Sequence, residues 1–144
     1  NAIMEAQEVL RDELILAVNE VMASVWLEIY PYDSWISLRL STLGNDYTLQ
    51  LKEPEGEWIN VSGFASGGER MLASLAAKIA FARVLSPSVS MLILDEPTHN
   101  LDEIAVRNLI EILHENVSEF IDQIFIITHD ERLAESANKV VKLI

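Results

Sequence analysis

The run Met91-Leu92-Ile93-Leu94-Asp95-Glu96 sets two carboxylates directly behind four apolar residues. In an open parallel sheet, ligands bind beyond the carboxyl ends of the strands, so a strand that ends in Asp-Glu delivers both groups into that crevice. Asp95 can there hold a magnesium ion through water, and Glu96 can polarise an attacking water. A solvated acidic pair at a strand end has the same local sequence, so these six residues alone leave both readings open. Ile124-Phe125-Ile126-Ile127-Thr128-His129-Asp130 repeats the arrangement one strand further on. His129 falls beside Asp95 and Glu96 if the two strands are neighbours, where a neutral imidazole can donate one hydrogen bond to a phosphate oxygen and accept another. A His-Asp pair also suits a metal-dependent phosphohydrolase, but that chemistry needs further ligands. His99, in a loop, and His114, on the charged side of a helix, are not arranged to supply them.

Ser66-Gly67-Gly68-Glu69 is the third feature. Ser-x-x-Glu before a helical run is a capping box, a structural device found at many helix starts. The glycine pair adds something a cap does not need, because it lets a ligand approach backbone N–H groups at a helix N-terminus that favours an anion. Gly63 to Gly68 also has the glycine spacing of a phosphate loop, yet Glu69 and Arg70 stand where that motif requires Lys and then Ser or Thr. No other segment fits, so the primary nucleotide loop is absent from this sequence.

The elements that must position these groups follow from periodicity. Residues 1–27 read as one helix, with Ile3, Leu10, Leu14, Val18, Val21 and Val25 on one face, widened by Met4, Ile15 and Met22, and Val9, Leu16 and Leu27 on the far side. Between residues 28 and 62, Ile36, Leu38 and Leu40 alternate with polar residues, as do Tyr47, Leu49 and Leu51, and Trp58, Ile59 and Val61 form a third run. Gly44-Asn45-Asp46 and Pro54-Glu55-Gly56 separate them, which predicts a three-strand antiparallel meander. From residue 63 onward, helix and apolar strand alternate. The expectation is a helix over 67–85 stopped by Pro87, a strand at 91–94 and a helix over 103–115. A strand at 124–127, a short helix near 132–137 and a last strand at 140–143 complete it. Apolar strands buried on both faces, with helices between, mean a parallel sheet and an α/β fold.

Composition sets the outer bounds. The 144 residues are 50% apolar, which supports a core, and the absence of cysteine excludes disulfides, thiolate metal sites and cysteine nucleophiles. A net charge of −13 argues against a general nucleic-acid footprint, which should be basic. The stretch Phe64–Ser90 is the exception, with Arg70, Lys78 and Arg83 against Glu69 alone. There is no signal-peptide pattern, and no apolar run approaches the roughly 20 residues a bilayer span needs. The chain opens on Asn1, already inside a helical pattern, which predicts a piece of a longer protein.

Ser66-Gly67-Gly68-Glu69-Arg70, Leu92-Ile93-Leu94-Asp95-Glu96-Pro97-Thr98, Asn100-Leu101-Asp102 and Thr128-His129-Asp130 stand in the order and spacing of an ABC-type ATPase. They resemble its signature motif, Walker B strand, D-loop and switch histidine. The resemblance covers residues 60–144 densely. Glu69-Arg70 after the glycine pair, where membrane transporters usually carry Gln, points to the SMC-like branch. So do the preceding long helix, the meander and the missing phosphate loop. More narrowly, the chain looks like the C-terminal half of the SbcC-type ATPase of DNA double-strand-break repair. Thr98-His99-Asn100 departs from the small residues common in the transporter D-loop.

That resemblance implies a C-terminal lobe of an ABC-type ATPase head at residues 28–144, entered from a coiled-coil base helix at 1–27, in a cytoplasmic or nuclear protein. It implies ATP and Mg2+ as cofactors, and two heads dimerising head-to-tail around two ATP molecules. Ser66, Gly67 and Gly68, followed by Glu69, would contact the γ-phosphate held by the opposite head. Asp95 would assist the metal, Glu96 would be the general base and His129 would sense the γ-phosphate. Asn100, Leu101 and Asp102 would line the dimer contact, and Arg70, Lys78 or Arg83 would couple engagement to head rotation. The implied partners are the N-terminal half with the phosphate loop, a second head, a repair nuclease near the coiled-coil base, and DNA through the assembled complex. Another SMC-like ATPase, a transporter fragment and a non-catalytic interaction domain with the same fold are the competing readings.

Overall fold

The computed structural model describes residues 2–44, 46–88, 90–115, 117 and 121–143, so Asn1 and Asn45 of the expected turn lie outside the described residues. The first element is the expected helix, α1 (Ala2–Ile29), at about 1.5 Å per residue a rod of roughly 40 Å. Val18, Met22, Val25, Trp26 and Ile29 are buried, whereas Ile3, Met4 and Leu10 on the same stripe are as exposed as Val9 and Leu16 on the other side. The apolar face of the helix is therefore packed on the core from about Leu14 onward.

The meander is present as β1 (Ser37–Leu43), β2 (Asp46–Lys52) and β3 (Trp58–Asn60), antiparallel in that order. Leu38 faces Leu51 and Leu40 faces Leu49, so one face carries the leucines onto α1. The opposite face is polar: Arg39 lies 4.0 Å over the Trp58 ring and hydrogen-bonds Gln50. Asn19 of α1 fastens the free edge of β1, accepting from Leu40 N at 2.7 Å and donating to Leu40 O at 2.9 Å. The amide side chain takes the place of a missing strand, which satisfies both backbone groups.

One irregular turn, α2 (Val61–Phe64), leads into α3 (Gly67–Leu85), whose start is the full capping box: Ser66 Oγ accepts from Glu69 N and Glu69 accepts from Ser66 N. The buried side of α3 is Leu72, Ala73, Leu75, Ala76, Ala77, Ile79 and Ala80. The alanines bring its backbone close to α1. Next come β4 (Met91–Asp95), α4 (Glu103–Glu115), β5 (Gln123–Ile127) and α5 (Glu131–Ser136). β4 and β5 pair in parallel with Asp95 opposite Ile127. The crossover α4 buries Ala105, Leu109, Ile112 and Leu113 in a core continuous with that under the meander.

Two expectations need correction. The parallel strands are covered on one face, not two: Leu92 and Leu94 point into the core, while Met91, Ile93, Phe125 and Ile127 are 46–57% exposed. A continuous apolar run cannot show how many layers the same chain supplies. Residues 140–143 form no strand, and Val140, Val141 and Leu143 are exposed. A strand needs a neighbour for its N–H and C=O groups, and none of the described strands pairs with this segment.

Candidate functional site

Two clusters of polar groups emerge, one at the end of the parallel strands and one where α3 and α4 begin. In the first, Glu96 N donates to Ile127 O at 2.8 Å, which ties the end of β4 to the end of β5. The chain then turns sharply, with Glu96 at φ 46°, a left-handed conformation that costs a non-glycine residue about 1–2 kcal/mol. The turn delivers the carboxylate onto the next strand end. His129 Nδ1 lies 2.8 Å from Glu96 Oε1, and Thr128 Oγ1 donates to Oε2 at 3.2 Å. The hydrogen bond from His129, then that from Thr128, holds the Glu96 carboxyl below the usual carboxylate range. An imidazole that donates from Nδ1 to a carboxylate leaves Nε2 pointing outward, and Nε2 then donates only when the ring carries both protons. Asp95 precedes this pair, exposed at the strand tip and making no side-chain hydrogen bond among the described residues.

Asp130 closes the cluster from behind. Its side chain caps α5 through Arg132 N at 3.0 Å and receives the Arg132 guanidinium at 2.6 Å. Arg132, with further hydrogen bonds from its backbone and from Thr98, holds the Asp130 carboxyl well below its ordinary value. Thr98, buried, thereby joins the turn after β4 to the start of α5.

The second cluster lines a pocket of about 320 Å3, formed by Tyr32, Ser66, Gly67, Gly68, Asn100, Leu101, Asp102 and Ala105. The amides of Gly67 and Gly68 belong to the first turn of α3 and have no acceptor within the helix. Close approach requires glycine at 68 and crowds any side chain at 67. A Cβ on Gly68 would stand 2.8 Å from the Asn100 carbonyl oxygen, and one on Gly67 would stand 3.2 Å from the Asn100 side chain. Asn100, at φ 63°, is the second left-handed non-glycine residue. Asp102 caps α4, accepting from Ala105 N at 2.9 Å through Oδ1, and its Oδ2 accepts from the Tyr32 hydroxyl. These two bonds, the backbone one first, hold its carboxyl low.

Glu69 is turned away from the pocket mouth. Oε2 takes Ser66 N at 2.7 Å, while Oε1 takes Trp35 Nε1 at 2.8 Å and Tyr30 Oη at 3.2 Å. Burial opposes these bonds, which together still keep the Glu69 carboxyl below its ordinary value. Arg70 and Lys78 are exposed on α3. The structure thus brings Asp95, Glu96 and His129 to one place, and Ser66, Gly67, Gly68, Asn100, Leu101 and Asp102 to another, with only the turn 97–99 between them. Thr98, though inside a motif, was given no role of its own, and Tyr30, Tyr32 and Trp35 carry no motif and were not marked by spacing. The aromatic crowding of Trp26, Tyr30, Tyr32 and Trp35 in ten residues is the one signal that points to them.

The residues present suit a phosphate with a magnesium ion. Orphan amides open into a concave pocket, and one unpartnered carboxylate stands at a strand tip. No group of three metal-ligating side chains occurs among the described residues. That set fits a cation that keeps most of its waters and takes further ligands from a nucleotide.

The sequence matches the SbcC/RAD50-like, Walker B motif family over residues 28–115. It is 32% identical to the DNA double-strand break repair Rad50 ATPase of Sulfolobus acidocaldarius, across 94% of this chain and 14% of that protein. It is 45% identical to the Rad50 ATPase of Sulfurisphaera tokodaii, across 54% of this chain and 9% of that one. The matched regions therefore span only 9–14% of the length of these relatives. A solved chain described under ATP-driven dimerization and DNA stimulated activation of SMC ATPases has the same fold. Its TM-score is 0.72 at 20% identity, over 94% of this chain and 80% of the other.

Proposed function

The chain belongs to the SbcC/RAD50-like, Walker B motif family, and from that premise we propose that it is the C-terminal half of an ATP-hydrolysing head of a DNA double-strand-break-repair ATPase. The observation that carries the reading is the division of the site. Glu96, oriented by His129 and Thr128, stands at the strand ends, whereas the glycine cradle opens into a pocket to which neither Glu96 nor His129 contributes. A cradle that does not face the base of its own chain is useful only if it serves a nucleotide held elsewhere. Ser66 and the amides of Gly67 and Gly68 would receive the γ-phosphate bound by an opposing head, beside Asn100, Leu101 and Asp102.

At the other cluster, Glu96 would accept the proton of the attacking water while Thr128 keeps one carboxylate oxygen oriented. His129, with both ring nitrogens protonated and not as the neutral imidazole expected from sequence, would donate from its outward Nε2 to the γ-phosphate. Asp95 would hold magnesium, which neutralises phosphate charge when bound. The phosphate loop must come from the N-terminal half, and the outer side of the β4–β5 sheet supports that partner: Met91, Ile93, Phe125 and Ile127 form an apolar face about half exposed among the described residues. The exposed stripe at the start of α1 supports residues 1–27 as the base of a coiled coil whose last turns, from Val18 on, are packed into the head. A repair nuclease near that base, and DNA reached through the whole assembly, complete the reading. The named relatives are break-repair ATPases, which favours this branch over a transporter. No described helix is long and apolar enough to cross a membrane.

The test is Glu96→Gln in the assembled head. Amide replacement removes the proton acceptor and keeps the shape, so turnover should fall at least about a hundredfold while ATP-dependent dimerisation, read by light scattering, persists. Turnover at the wild-type rate would remove Glu96 from the role of base.

A further inference from the structure

The segment between α1 and β1 reaches both turns of the second cluster. Trp35 and Tyr30 donate to the same oxygen of Glu69, and Tyr32 donates to Asp102. The three aromatics are themselves anchored in the core. Trp26, fully buried in the last turns of α1, stacks on Tyr30 at 4.5 Å and donates from Nε1 to Trp35 O at 3.1 Å. Tyr30 meets Tyr32 edge-on at 5.2 Å. An unbroken path thus runs from α1 to the start of α3 on one side and the start of α4 on the other.

We propose that Trp35 and Tyr32 are positioning residues that fix the Ser66–Gly68 turn and the Asn100–Asp102 turn in one geometry for the phosphate of an opposing head. The inference rests on the reading of the site given above. A capping box needs only Ser66 and Glu69, so the donors from Trp35 and Tyr30 are additional, and they pull on the carboxylate oxygen that Ser66 does not use. Asp102 likewise needs only the α4 amide to serve as a cap, yet Tyr32 takes its second oxygen and lines the pocket. The two turns have no slack between them, since Gly68 already stands against the Asn100 carbonyl. A small rotation of either helix start would therefore open or close the cradle. Burial, and the Glu69 charge, push the Tyr30 hydroxyl up to about 12, and the hydrogen bond to Asp102 does the same for Tyr32. Both remain donors throughout the pH range in which the protein would work.

The experiment uses the assembled head, with the half that carries the phosphate loop. Trp35→Phe keeps an aromatic ring and removes the N–H; Tyr32→Phe removes one oxygen. Each should leave binding of a fluorescent ATP analogue to the monomeric head within about twofold, while weakening ATP-dependent dimerisation about tenfold, the equivalent of one charge-assisted hydrogen bond. Turnover should follow dimerisation, with kcat falling and KM nearly constant. In a Glu69→Gln background, Trp35→Phe should add little, because its partner is already altered. Wild-type dimerisation and turnover in both phenylalanine variants would overturn the proposal. So would an equal loss from Trp35→Phe with and without Glu69, which marks a packing role. If Trp35→Phe does not fold, Tyr32→Phe decides. Failure of the wild-type head to dimerise or hydrolyse ATP at all would instead bring down the reading of the site itself.

Discussion

Gly67 and Gly68 are adjacent in sequence and unequal in space. A methyl group on Gly67 would meet the Asn100 side chain, which can rotate aside, while one on Gly68 would meet a backbone carbonyl whose residue is already left-handed. Gly68→Ala should therefore destabilise the chain by about 1–3 kcal/mol and impair ATP-driven dimerisation, and Gly67→Ala should do markedly less of both. Thermal melting and light scattering of the two variants side by side check the order; equal effects would mean that the α3–Asn100 approach is looser than described. Glu96 shows the other side of residue-scale reading. Its place, a carboxylate ending an apolar strand, was legible, but its hydrogen bonds to His129 and Thr128 were not, because they depend on β4 and β5 being neighbours.

At the scale of elements, periodicity predicted the described helices and strands from α1 to α5 to within about two residues, except that β1 runs on to Leu43 and the irregular turn α2 was not foreseen. The capping box and the amphipathic face of α4 are local devices, and local devices can be read from sequence. The failed strand at 140–143 has the apolar content and lacks a partner, a non-local requirement. α5, only six residues long, depends on its cap. Asp130 carries that cap and the Arg132 pair, and its carboxyl is depressed in the folded state. A depressed carboxyl contributes stability that is present above its unfolded value, about pH 4, and lost as the pH falls through the folded one. Asp130→Asn should therefore be less stable than wild type at neutral pH, and the gap should close on acidification. Melting temperatures between pH 7 and 2.5 measure it; a gap that stays constant would show that charge contributes nothing there.

For the molecule as a whole, the decisive feature is what the chain leaves uncovered. An apolar sheet face and an apolar helix stripe stand exposed on a chain of net charge −13. Ile93→Glu alters an exposed side chain. The fold should change by no more than about 0.5 kcal/mol, while co-purification with the half carrying the phosphate loop should be lost. Undiminished co-purification would move that partner off the β4–β5 face. Sequence by itself determined the chemical groups, their order along the chain and the elements that carry them. Residue type, period and capping pattern are properties of neighbours in the chain. Only the tertiary structure decided that Glu96 meets His129, that the glycine cradle opens elsewhere, and that Tyr30, Tyr32 and Trp35 bind both helix starts. Those facts join residues some 30 to 70 positions apart, and packing of α1, α3 and α4 on one core is what brings them together.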